Sequence, residues 1–159
     1  MKIIFPIIFI IILLFLQVGI LPNLKIVNIY PNLFLLCLIV LTILIGWKKT
    51  LGWIIAFGLF LDFYSLHNVL GISVISIFLT CFFAQFLNKR YFKKENIFSL
   101  VLVFTTSIIF YELLVFIAFK IFGIGYNFYL LGIIIKIIYN LILILPIFYI
   151  AKWYVDKIK

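Results

Sequence analysis

The stretch LGWIIAFGLFLDFYSLHNVLGIS, residues 51–73, decides how the chain is read: an apolar run there carries one acid, Asp62, and then breaks into turn chemistry. A charged side chain at the centre of a bilayer costs about 2.5–3.5 kcal/mol on insertion scales, so a carboxylate in such a run faces a helix bundle, water or a partner. The run ends in Tyr64, Ser65, His67 and Asn68, with Gly71 after them, which is the residue chemistry of a tight hairpin between two helices. Asp62 is therefore the first candidate for function.

Outward from this stretch the chain stays apolar. Of its 159 residues 69% are hydrophobic and 11% charged, and its mean hydropathy is +1.44. These values lie far outside the range of soluble domains and describe an integral membrane protein. The long apolar runs lack the alternation of a barrel, so the fold class is all-α, a bundle of membrane helices whose backbone groups are satisfied within each segment. The formal charge of +9 would suit a nucleic-acid ligand in a soluble chain, but Lys and Arg beside membrane helices set orientation, and nucleic acid is not expected as a partner. Cys37 and Cys81 stand inside apolar runs with no CxxC or Cys/His cluster, which makes them packing residues and leaves no metal or cofactor expected.

Six spans are predicted, at about residues 3–20, 31–47, 51–66, 69–87, 97–119 and 129–151, forming a single integral membrane domain. The first is too long for a signal peptide core and no small-x-small site follows it, so an uncleaved span is expected. With six spans both termini lie on one side. On that side fall Lys2, Lys48, Lys49, Lys89, Arg90, Lys93, Lys94, Lys152, Lys157 and Lys159, while only Lys25 and Lys120 fall on the other. This asymmetry puts both termini in the cytoplasm. Trp47, Trp53 and Trp153 then lie near the inner interface and Tyr30, Tyr64, Tyr126 and Tyr129 near the outer one, as aromatic belts require.

Depth follows from position at about 1.5 Å per residue. Asp62 is expected about 6 Å from the outer end of its helix, and Glu112 and Lys136 about 10 Å from the outer ends of theirs. Matched depth on consecutive helices predicts an ion pair between Glu112 and Lys136, which offsets much of the cost of burying either. Small and polar residues recur at helical spacing around these charges: Gly58, Asp62 and Ser65; Ser73, Ser76, Thr80 and Ala84; Thr105 and Glu112; Gly132, Lys136, Tyr139 and Asn140. Such stripes let helices pack closely, and they can also line a solute path. His67 reads as an exposed turn residue. No GxSxG, HExxH or phosphate-cradling loop occurs, so no catalytic residue is assigned and the chain is expected not to be an enzyme.

Residues 31–90 resemble the family of the bacterial rod shape-determining protein MreD. The resemblance is carried by Pro31-Asn32 opening a helix, by Gly58 to Asp62 as G-x-x-x-D before Ser65, by Leu70-Gly71, by the basic close at Asn88 to Arg90, and by Asn140 with Pro146 in the last helix. It implies a multi-pass scaffold or regulator of lateral peptidoglycan synthesis in the bacterial inner membrane. The partners it implies are an MreC-like membrane protein and, indirectly, MreB filaments and peptidoglycan synthases. Asp62, Gly58, Ser65, Gly71, Glu112, Lys136 and Asn140 are then residues of the partner surface or structural core. A similar six-helix layout occurs in the substrate-binding subunits of energy-coupling-factor transporters, which makes a small-solute transporter subunit the alternative. A ligand-sized cavity with convergent polar groups would separate the two.

Overall fold

The computed structural model describes residues 12–24, 29, 31–64, 69–91, 97–124 and 130–158. Ser65 and His67, most of the first predicted span and the basic residues Lys93 and Lys94 lie outside these residues. The described chain is all-helical, in six helices: α1 (Ile12–Asn23), α2 (Leu33–Ile45), α3 (Trp47–Tyr64), α4 (Ile72–Tyr91), α5 (Ile97–Ile121) and α6 (Leu130–Ile158). α1 includes a π-helical turn at Leu16–Ile20 and closes in a 3₁₀ turn, Leu21–Leu24.

The centre of the bundle is α2. Its sequence, LFLLCLIVLTILI, is apolar on every face, and a helix apolar all round belongs in a core or in lipid. At 13 residues it reaches about 20 Å, against about 30 Å of bilayer hydrocarbon, and the shorter length matches a buried core helix. The packing agrees: every residue from Leu33 to Val40 is buried, and α3, α4 and α6 close around them. Phe34 anchors the α2–α3 contact, stacked on Phe57 at 4.6 Å and edge-on to Phe60 at 5.5 Å. Phe83 and Phe110 stack at 4.5 Å between α4 and α5, and α6 closes the circuit against α5 and α2.

Among the described residues, three helices are long and apolar enough to cross a membrane, over Ile72–Arg90, Phe98–Ile121 and Leu131–Lys157. Their outward faces are apolar, with Ile75, Phe82, Ile109, Ile117, Ile138 and Ile142 among the exposed residues, as lipid contact requires. Each ends on a cation, Lys89 and Arg90 in α4, Lys120 in α5 and Lys157 in α6, where the helix dipole favours positive charge. Lys157 folds back over the Trp153 ring at 4.1 Å, a cation–π contact.

Helix limits depart from the sequence reading at one instructive point. The break between the second and third helices falls at Gly46, not at Lys48-Lys49: Gly46 takes φ 89°, a left-handed conformation that ends α2, and both lysines are exposed in the first turn of α3. Charges mark an interface in a hydropathy reading, whereas backbone geometry ends a helix. For the same reason α4 and α6 run on through their basic ends.

Candidate functional site

Asp62 is buried, 3% exposed, near the end of α3, and its carboxylate reaches across to the start of α4. The Gly71 N–H donates to Asp62 Oδ2 at 2.7 Å and the Ser73 N–H donates to Oδ1 at 2.8 Å. Gly71 is the N-cap of α4, since its carbonyl accepts the first intrahelical bond from Ile75 N at 2.9 Å. A glycine has no side chain with which to cap, but its φ of 101° suits few other residues. Asp62 supplies the cap from the neighbouring helix. The two bonds are charge-assisted, and the positive end of the α4 dipole adds to them.

This reach requires the two helices to touch, and Gly58 makes that possible. A Cβ on Gly58 would lie 2.7 Å from the Val74 Cα and 3.1 Å from its backbone nitrogen. Any larger residue pushes the first turn of α4 away. Positions 58 and 62 are one helical turn apart on one face, so G-x-x-x-D is one device: the glycine admits α4 and the acid caps it.

The same arrangement recurs at two further helix starts. Gln17, 2% exposed in α1, accepts from the Leu33 N–H at 2.8 Å and donates to the Pro31 carbonyl at 3.3 Å, while Asn32 caps its own helix by accepting from Leu35 N at 3.1 Å. Gln85 in α4 accepts from the Trp47 N–H at the start of α3 at 2.8 Å. The N-termini of α2, α3 and α4 are therefore each capped by a side chain from another helix. In lipid an unsatisfied backbone N–H costs several kcal/mol with no water to take its place, so each such bond holds a pair of helices in register. The sequence reading missed Gln17 and Gln85. The signal was present, an amide inside an otherwise apolar run.

Glu112 and Lys136 form the expected pair: Lys136 Nζ donates to both Glu112 oxygens at 2.9 Å, joining α5 to α6. Glu112 is buried and the Lys136 side chain is 30% exposed. Both line a cavity of about 430 Å³ that also takes in Asp62, Asn32, Ser73 and Asn140. The fold thus brings Asp62, Glu112, Lys136 and Asn140 to one chamber, at the end of the bundle where α3 hands over to α4. Asn140 is 3% exposed and its Oδ1 has no hydrogen-bond partner among the described residues. Gly58 and Gly71 serve the α3–α4 contact beside this chamber. The stripe from Ser73 to Ala84 follows another course: Ser76, Thr80 and Ala84 are buried in helix packing, with the Thr80 hydroxyl donating to its own helix at the Ser76 carbonyl. Thr105 likewise donates to the Val101 carbonyl within α5.

No curated protein and no solved structure matches the chain. One family model does, that of the rod shape-determining protein MreD, and it covers residues 1–153, nearly the whole length of the chain, reaching into each of the six described helices. Two of the candidate spanning helices, most of the third, and the G-x-x-x-D device at Gly58 and Asp62 lie within the matched region, and on that match the chain belongs to the MreD family of rod shape-determining proteins.

Proposed function

We propose that this protein is a non-enzymatic scaffold or regulator of lateral peptidoglycan synthesis, set in the bacterial inner membrane with both termini cytoplasmic. It would bind an MreC-like membrane partner and through it the elongation machinery, with MreB filaments on the cytoplasmic side. The observation that carries this reading is the family match across residues 1–153, since the family determines rod shape. The tied helix starts support it: a scaffold must hold its surfaces fixed, and three interhelical caps favour a single arrangement of α1 to α4. Depletion in a rod-shaped host tests the reading. Cells should round up, and an MreC-like protein should copurify from a detergent extract.

One observation favours a second reading, a small-solute transporter subunit. A chamber of about 430 Å³ with convergent polar side chains is within the size range of ligand sites, and a scaffold filled by its own side chains has no need of one. Depleted cells that keep their shape but lose uptake of one nutrient would decide for it.

A further inference from the structure

We infer that the chamber lined by residues of α1 to α6 is a binding site for an uncharged hydroxyl carried on an apolar body, as in an aliphatic alcohol or a neutral glycerolipid. The donor is called for by Asn140. It lines the chamber from α6, it is 3% exposed, and its Oδ1 accepts no hydrogen bond among the described residues. An acceptor withdrawn from water and left without a donor is unfavourable, and a ligand that brings one relieves it. The absence of charge follows from the neighbours, because the ionised side chains of the described lining already hold partners. Lys136 donates to both Glu112 oxygens at 2.9 Å, and Asp62 accepts from the Gly71 and Ser73 N–H groups at 2.7 and 2.8 Å. A charged ligand would lose its own hydration on entering, and only the breaking of one of those ties would offset the loss. A neutral donor meets the Asn140 oxygen and disturbs none of these bonds.

The walls call for the apolar body. Ile108, Val115 and Phe119 recur at helical spacing along α5 and line the chamber together with Leu61 of α3. Water suits such a site poorly. The chamber holds about 430 Å³ against roughly 30 Å³ for one molecule of liquid water, and a buried water needs two to four polar partners, which an aliphatic wall denies it. An alcohol places its O–H at Asn140 and its chain along the α5 wall. The inference requires neither the scaffold nor the transporter reading, and it is tested on purified protein, apart from the cell-shape and uptake assays that decide between those two.

The test uses the full chain in dodecyldimethylamine oxide, a detergent whose headgroup has no hydrogen-bond donor. Thermal unfolding is followed against n-hexanol, its isomer methyl pentyl ether, and n-hexylammonium chloride. Alcohol and ether share their volume and their acceptor oxygen and differ in the donor. The alcohol should raise Tm saturably above the ether, with about fivefold tighter binding, as one neutral hydrogen bond gives, and the ammonium should do no more than the ether. Asn140→Leu removes the acceptor, so without ligand it should unfold at the same temperature or higher, and it should treat alcohol and ether alike. Val115→Phe narrows the chamber from α5 and should abolish the rise, which decides the matter if Asn140→Leu does not fold. Native mass spectrometry after exposure to an equimolar mixture of diacylglycerol and triacylglycerol names the source. Preferential retention of diacylglycerol means a lipid hydroxyl, and no preference, with the hexanol rise intact, means a free alcohol. The inference is overturned if the alcohol does no more than the ether, if hexylammonium matches the alcohol, or if the advantage of the alcohol persists in either folded variant.

Discussion

Gly58 and Val74 stand so close that a Cβ on the glycine would lie 2.7 Å from the valine Cα. A contact with backbone cannot be relieved by a rotamer change, so the whole first turn of α4 must shift. Gly58→Ala should therefore destabilise the protein by about 1–3 kcal/mol, the usual range for overpacking, despite alanine's better helix propensity. Gly52→Ala in the same helix meets nothing within 4 Å and should be neutral or slightly stabilising. Thermal unfolding in detergent distinguishes the two. Equal stability of Gly58→Ala and wild type would show that close approach is not what the glycine provides.

Asp62 should give a graded series. Asp62→Asn keeps one acceptor oxygen for two N–H donors, and Asp62→Ala leaves both Gly71 and Ser73 without this cap. Each stranded donor costs about 1–3 kcal/mol, so the alanine variant should lose about twice what the asparagine variant loses. Hydrogen exchange reads the effect locally: the amides of residues 71 and 73 should lose protection before the core of α4 does. Unchanged protection in Asp62→Ala would mean that other groups hold the start of α4.

Gln85→Leu should loosen the start of α3 without touching the chamber. It frees the Trp47 N–H, and the Trp47 ring, which packs edge-on against Phe78 and Phe82 at 5.9 and 6.0 Å, should report the change. A red-shifted tryptophan emission with a stability loss of about 1–3 kcal/mol is expected. Since Trp53 and Trp153 also emit, the spectrum of the matching Trp47→Phe protein is subtracted to isolate the Trp47 emission.

The Glu112–Lys136 pair calls for a double-mutant cycle. Either Glu112→Gln or Lys136→Met strands a charge in the bundle, for which buried pairs in soluble proteins lose about 3–5 kcal/mol; the partly exposed Lys136 puts the expectation below that range. The double variant should lose less than the sum of the two single losses, with a coupling above about 0.5 kcal/mol in folded stability. Strict additivity would remove the pair from the account of stability.

Orientation is tested with reporters. The excess of Lys and Arg on one side predicts a cytoplasmic reporter fused after Lys159 and an external one inserted at His67. External labelling of Lys93 or Lys94 in intact cells would reverse the arrangement.

Much of this protein was determined by its sequence alone, because the constraint that acts on it is local. A chain this apolar can satisfy its backbone only as helices, and hydropathy therefore locates them without knowledge of any neighbour. Asp62, Glu112 and Lys136 announced themselves in the same way, since a charge in an apolar run is conspicuous in one dimension, and equal depth on successive helices was enough to pair the last two. The tertiary structure decided what one dimension does not contain. That α2 is the buried centre depends on which helices surround it, and its uniform apolarity reads equally well as lipid contact. That Gly58 admits the Val74 backbone, that Gln17 and Gln85 cap helices other than their own, and that Asn140 shares a chamber with Asp62 are all relations between different helices. They arise because a helix start leaves its donors to whatever lies beside it, and only packing determines what that is.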